Sequence, residues 1–98
     1  MILDPANVPA ALLPILPVAA KWGIGDDYER EAAVRNSSRE ELEVLVHSID
    51  NIADSDLYGW LEGPESFNPN PTPEYLAITC LTMAIDSAKV KLRFNETR

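Results

Sequence analysis

The sequence predicts an all-α protein, a compact bundle of four to five helices in a single domain over residues 1–98. Three observations support this fold: apolar residues recur at helical spacing, strand-like alternation is absent, and capping residues or prolines precede the apolar runs. With 98 residues, of which 46% are hydrophobic, the chain can build one small core and is too short for two domains.

The first predicted helix opens near Pro14 and ends at Trp22, with a kink expected at Pro17. A proline costs little at a helix start, because the first amide groups of a helix have no acceptor within it. Gly23 and the apolar Ile24 then predict a Schellman motif, in which the glycine after the helix adopts the left-handed conformation.

A second helix is predicted from about Asp26 to Asn36, because acidic residues suit the positive end of a helix. Oppositely charged residues four apart, Asp26 with Arg30 and Glu31 with Arg35, would stabilise it. The few apolar residues that could face a core are Tyr28, Ala32, Ala33 and Val34. We therefore expect this helix to lie on the surface.

Two overlapping capping boxes, Ser37 with Glu40 and Ser38 with Glu41, predict the start of a third helix. An apolar stripe at helical spacing follows them: Leu42, Leu45, Val46, Ile49, and Ile52 or Ala53. This stripe predicts that one face of the third helix packs against the core.

A short fourth helix is predicted from Asp54 to Glu62. Asp54 or Ser55 would cap its start, because short polar side chains accept hydrogen bonds from the first amides of a helix. Gly63-Pro64 would end it, since neither residue continues a helix easily.

A proline-rich loop separates this helix from the last one. Residues 63–73 contain four prolines, which exclude a regular helix or a central strand and predict an ordered loop. Thr72 can cap the last helix with Pro73 at its first position, and the helical pattern continues to about Leu92.

The last helix is predicted to lie at the centre of the bundle. Residues 75–85 carry no charge, and the middle of the helix is apolar nearly all round. Such a helix must be covered by the other helices or by a second copy of the chain, so a homodimer is an alternative to a monomeric bundle. Lys89, Lys91 and Arg93 suit the negative end of this helix.

Charge is unevenly distributed along the chain. No Lys or Arg lies between Arg39 and Lys89, whereas ten carboxylates do, and the formal net charge is −8. Direct binding to nucleic acid is disfavoured, because that affinity comes largely from cations that displace counterions from phosphates. A basic protein is the natural partner of such an acidic surface.

The apolar residues 8–20 do not have the pattern of a signal peptide. No Lys or Arg precedes them, and Pro9, Pro14 and Pro17 interrupt the run. No uncharged stretch reaches the roughly 20 residues that span a bilayer. We therefore expect no membrane association and a cytoplasmic protein, in which the thiol of Cys80 stays reduced.

Few residues could carry catalysis, so the sequence predicts no enzyme, no catalytic residue, no cofactor and no metal site. His47 is the only histidine, and with Asp50 and Asp54 it offers one nitrogen and two carboxylates, a poor ligand set. Cys80 lies in the apolar part of the last helix, where a thiol behaves as a small hydrophobe. No phosphate-binding glycine loop or nucleophile elbow is present.

The segment from Trp60 to Pro73, with Tyr58 before it, is the candidate partner-binding region. It places aromatic rings beside fixed polar groups, a combination frequent at binding hot spots, on a loop that prolines stiffen. The candidate residues are Tyr58, Trp60, Glu62, Glu65, Phe67, Asn68 and Asn70. In the alternative interpretation, Trp60 and Phe67 plug the ends of the helical core and the prolines only brace the turn.

These observations predict a small acidic interaction module that binds another, basic protein, as an immunity, antitoxin or regulatory protein would. Two alternatives stay open. One is a homodimer that binds a small ligand between the last helices of its two copies. The other is a metal-dependent hydrolase that uses its carboxylates.

Overall fold

A computed structural model describes residues 3–96 of the chain. It is 74% helical and has no strand in this range, which confirms the predicted all-α fold with five helices. The helices are α1 (Leu16–Trp22), α2 (Asp27–Arg35), α3 (Arg39–His47), α4 (Asp54–Leu61) and α5 (Pro73–Glu96). Short 3₁₀ segments cover Pro5–Asn7, Ala10–Ile15 and Pro64–Phe67.

Helix α5 is the central element, as the sequence predicts, and α1, α2 and α3 all pack against it. Its 24 residues make it about 36 Å long. The residues it buries recur every three or four positions: Ala77, Ile78, Leu81, Ala84, Ile85 and Ala88. The other helices and the N-terminal segment supply the rest of the core: Leu12, Ile15, Leu16, Ala19, Trp22, Val34, Leu42, Leu45 and Leu57.

Helix α1 begins at Leu16, later than predicted. Pro17 lacks an amide donor and lies in the first turn, where a helix accepts proline without losing a hydrogen bond. Pro14 lies in the 3₁₀ segment Ala10–Ile15, which still buries Leu12 and Ile15. The expected kink at Pro17 is therefore replaced by a helix start.

The Schellman motif predicted at Gly23 is wrong. Gly23 has φ −77°, and its amide donates to the carbonyl of Ala19 at 2.7 Å. A Cβ atom at position 23 would collide with the oxygen of Ala19 in α1 and would lie 2.6 Å from that of Ala77 in α5. Glycine is required because the backbones of both helices lie too close for a side chain, and not because of a left-handed conformation.

Helix α2 faces the core with most of the apolar residues that could do so. Val34 is buried, and Ala32 and Ala33 are half-buried, whereas Tyr28 is 79% exposed. Arg30, one turn before Val34, is also buried. The Arg30 guanidinium donates to the carbonyl of Ile24 at 2.7 Å and pairs with Asp27. Burial of the cation is tolerated because these acceptors satisfy it.

The two ion pairs predicted in α2 are not formed. The Asp26 carboxylate instead caps the helix by accepting from the Glu29 amide at 2.9 Å. No salt bridge joins Glu31 to Arg35 in the structure, although both are described. Capping takes the Asp26 carboxylate away from the position where it would meet Arg30.

Helix α3 starts with one of the two predicted capping boxes. Ser38 Oγ accepts from the Glu41 amide at 3.2 Å, and Glu41 Oε1 accepts from the Ser38 amide at 3.2 Å. These hydrogen bonds hold the pKa of Glu41 below its usual range, helped by the charge of Lys21. The second box is not formed, because Ser37 Oγ donates to the carbonyl of Ala33 in α2.

The apolar stripe of α3 extends beyond the helix itself. Leu42 and Leu45 are buried, but α3 ends at His47. Ile49 and Ile52 follow in a turn and are half-buried against the core. The stripe therefore predicts burial correctly while overstating the length of the helix.

Helix α4 covers the predicted segment, but its predicted cap is wrong. Ala53 occupies the cap position and provides no side-chain hydrogen bond. Asp54 and Asp56 lie in the first turn, where their charge suits the positive end of the helix.

The N-terminal residues are tied to the start of α5 by a buried carboxylate. Glu74 accepts from the Asp4 amide at 3.2 Å and from Asn7 Nδ2 at 2.6 Å. Thr72 Oγ1 caps α5 by accepting from the Tyr75 amide at 3.2 Å, as predicted. The first turn of α5 therefore holds the proline-rich N-terminal segment.

Candidate interaction surface

Trp60 belongs to the junction between α4 and α5. It is half-buried against the core, and its ring meets that of Tyr75 edge to face, with centroids 5.3 Å apart and planes at 66°. Tyr75 Oη donates to the carbonyl of Leu61 at 2.5 Å, which satisfies one of the last carbonyls of α4. These contacts favour the alternative interpretation for Trp60, in which it closes one end of the core.

The turn after α4 is ordered by its own side chains. Ser66 Oγ donates to the carbonyl of Gly63 at 2.6 Å, and Asn68 Nδ2 donates to Glu65 Oε1 at 3.2 Å. Asn68 Oδ1 in turn accepts from the Asn70 amide at 2.9 Å. Glu65, Asn68 and Asn70, three of the predicted site residues, therefore act together within the turn and fix its shape.

Phe67 lies at the end of the 3₁₀ segment Pro64–Phe67 and is 85% exposed. Phe67 therefore does not pack in the core. Of the two aromatic residues in this segment, Trp60 contacts the core and Phe67 is exposed to solvent. The Phe67 side chain contributes little to the free energy of folding, because its apolar surface remains in water.

The outer face of α4 carries an aromatic ring between two carboxylates. Asp54, Tyr58 and Glu62 are exposed and four residues apart, so they lie along one side of the helix, whereas Leu57 is buried. Neither Asp54 nor Glu62 forms an ion pair within residues 3–96. Pro64–Phe67 packs on α4.

We call Asp54, Tyr58, Glu62 and Phe67 the acidic end surface. It combines two aromatic rings with two carboxylates on adjoining, ordered elements. Carboxylates attract cationic side chains, and aromatic faces accept them through cation–π contact. The arrangement is suited to binding Lys or Arg beside apolar groups.

Sequence reasoning missed two grooves. One, of about 380 Å³, lies between α1 and α3, lined by apolar residues that include Pro17, Trp22 and the exposed Val44. The other, of about 500 Å³, lies between α2 and α5, with Val34 and Val90 among its lining. No local pattern predicts them, because each depends on how two helices pack.

Of the residues considered for chemistry, His47, Asp50 and Cys80 line neither groove, and Asp54 belongs to the acidic end surface. His47 Nδ1 lies 2.6 Å from Asp50 Oδ2, and both side chains are exposed. Among the side chains that the structure describes, no group of three or more from His, Cys, Asp or Glu could hold a metal ion. Cys80 is half-buried on α5, with a free thiol.

No protein-family model matches the chain, and neither a curated protein nor a solved structure matches it. The described part of the chain contains no helix with the length and apolar character needed to cross a bilayer. The function is therefore inferred from the surface chemistry of this chain alone.

Proposed function

We propose that this protein is an acidic interaction module that binds a basic protein through the acidic end surface. The observation that carries the proposal is the 85% exposure of Phe67 on a turn that its own hydrogen bonds keep ordered. Exposed aromatic residues on rigid elements are typical anchors of protein interfaces, because they bury large area and lose little entropy on binding.

Electrostatics supports a basic partner. The acidic end surface lies within the stretch between Arg39 and Lys89, which contains ten carboxylates and no Lys or Arg. Asp54 and Glu62 are exposed and form no ion pair within the described residues, so their charge is available to a partner. Such a field speeds association with a cationic protein and disfavours an anionic one.

We also propose that the interaction takes place in the cytoplasm. A partner of this kind would meet the protein in the cytoplasm, where the single thiol, that of Cys80, remains reduced. In this proposal the protein has no catalytic role and acts by occupying a surface of its partner.

The test captures partners with the immobilised chain and compares two serine variants. Phe67→Ser removes the proposed anchor, whereas Tyr28→Ser removes an aromatic residue of similar exposure on α2. Proteins from a lysate of the encoding organism are quantified by mass spectrometry, and the affinity of each purified candidate is then measured by calorimetry. We expect the captured proteins to be basic and to bind the wild type and Tyr28→Ser with equal affinity. Their affinity for Phe67→Ser should be lower by about tenfold or more.

The control for folding is the thermal unfolding of each variant by circular dichroism, since both sites are exposed and neither change should unfold the chain. The proposal fails if Phe67→Ser and Tyr28→Ser bind the captured proteins equally well. It also fails if the proteins that depend on Phe67 are acidic.

A further inference from the structure

A second apolar face runs along α5, on the side turned away from the core. Leu76, Met83 and Val90 are seven residues apart and 49%, 46% and 54% exposed, and Phe94 further along is 68% exposed. At 100° per residue they lie nearly opposite Leu81, the centre of the buried face. Helix α5 is therefore apolar on two sides, of which the bundle covers one.

This face has the spacing of a coiled-coil seam. Steps of four and three residues alternate along it through Leu76, Cys80, Met83, Ser87, Val90 and Phe94. We call these residues the α5 stripe. The alternating steps of four and three residues keep the stripe nearly straight for about 27 Å, which is the pattern of helices that pack lengthwise against each other.

We propose that the α5 stripe is a homodimer interface, on which a second copy of the chain packs with its α5 antiparallel to the first. The spacing of the stripe reads the same in both directions about its centre at position 85, as an isologous pair of helices requires. Met83 of each copy then faces Ser87 of the other, and Cys80 faces Val90, so that a larger side chain meets a smaller one.

The groove between α2 and α5 fits the same arrangement. It lies beside the C-terminal half of the stripe and includes Val90 and Phe94 in its lining. Antiparallel packing brings Leu76 of the second copy to this end, where the groove offers a recess of about 500 Å³ lined by Val34, Val90 and Phe94 together with the charged Glu31, Arg35 and Lys91. The N-terminal half of one stripe therefore meets the recess of the other.

Charge opposes contact between copies least at the α5 stripe itself. The chain carries a net charge of −8, so most of its surface repels another copy, whereas none of the six residues of the stripe is charged. Contact along the stripe is therefore apolar, and the repulsion between the copies comes from the surface around it.

The first experiment measures the mass of the full chain by sedimentation velocity over a concentration series. We expect a monomer–dimer equilibrium for the wild type and for Val44→Glu, which adds a charge at an exposed apolar residue of α3. Met83→Glu, and separately Val90→Glu, should shift the dissociation constant upward at least tenfold, since each buries a carboxylate in the apolar seam. Circular dichroism checks that each variant remains folded.

A wild-type chain that stays monomeric up to millimolar concentration would overturn the proposal and leave the stripe to a different occupant. Equal dimerisation of Met83→Glu, Val90→Glu and the wild type would also overturn it, because the interface would then lie elsewhere. Neither outcome bears on the acidic end surface, whose residues are different.

The second experiment tests the orientation with Val90→Cys, oxidised by diamide at a dimeric concentration. We expect a disulfide between Cys80 of one copy and the new cysteine at position 90 of the other, identified by peptide mapping, because antiparallel packing makes these positions neighbours. A disulfide between the two Cys80 residues, or no crosslink in a dimeric sample, would contradict the antiparallel arrangement.

Discussion

The ammonium group of Lys91, a residue of α5, caps the C-terminal end of α2. It donates to the carbonyl oxygens of Val34, Arg35 and Ser37, at and just beyond the C-terminal end of α2. The last carbonyls of a helix have no amide partner within it, and a cation suits the negative end of the helix dipole. The sequence predicts only that Lys91 suits the end of α5, since nothing local indicates that α2 ends beside it.

We expect Lys91→Met to lower the free energy of unfolding by about 1–2 kcal/mol, because it removes charge-assisted hydrogen bonds from a half-exposed site. Urea denaturation measures the change. Lys89→Met is the matched control: it makes the same change in net charge at an exposed residue and should alter stability by less than about 0.5 kcal/mol. Equal losses in the two variants would show that net charge, and not the cap on α2, is responsible.

At the scale of elements, the contact between α1 and α5 depends on the absence of a side chain at Gly23. A Cβ atom there would lie 2.6 Å from the oxygen and 2.8 Å from the Cα atom of Ala77, so the backbones of α1 and α5 would have to separate. Gly25, two residues later, has open space around the same position. The two glycines are alike in sequence, and only the packing of α1 on α5 distinguishes them.

Gly23→Ala should therefore destabilise the fold by about 2–4 kcal/mol, because rigid backbone and not a flexible side chain must move. Gly25→Ala should be neutral or stabilising by up to about 1 kcal/mol, since alanine reduces the freedom of the unfolded chain. Thermal and urea unfolding of both variants provide the comparison. If the two variants are equally stable, α1 does not approach α5 as closely as described.

At the scale of the whole molecule, the two proposed interaction surfaces differ in charge. The acidic end surface lies within a stretch of the sequence that has no Lys or Arg, whereas no residue of the α5 stripe is charged. Salt screens charges over a Debye length of about 8 Å at physiological ionic strength. The two proposed interactions should therefore respond to salt in opposite directions.

Raising NaCl from about 0.05 to 0.3 M should weaken binding to a basic partner and strengthen dimerisation. The first effect follows from the loss of attraction between opposite charges. The second follows because each copy carries a charge of −8, whose repulsion opposes an otherwise apolar contact. Calorimetry with the captured partner and sedimentation of the chain alone measure the two constants. A dimer that weakens steeply with salt would indicate an ionic interface and contradict packing along the stripe.

Local signals predicted the helices well and their contacts poorly. The Ser38 capping box and the Thr72 cap place two helix starts correctly, because each cap involves residues within one turn of the chain. Of the α2 residues that could face the core, Tyr28 does not, and the charged Arg30 is buried because it donates to Ile24 and pairs with Asp27.

The candidate site shows the same division. Tyr58, Glu62 and Phe67 are exposed, and their exposure is compatible with the role the sequence indicates. Trp60 could not be assigned in advance, because its role depends on Tyr75, which lies fifteen residues away in another helix. The seven-residue spacing of the α5 stripe is visible in the sequence, but a helix that is apolar all round does not reveal which side the bundle covers.

The sequence by itself determined the helical class, the order of the five helices and the acidic character of the chain, because propensity, capping and charge are properties of neighbouring residues. Only the tertiary structure decided the partners of Arg30 and Lys91, the need for glycine at position 23 and the exposed side of α5. Each of these depends on which helix surfaces meet, and those contacts join residues far apart in the chain.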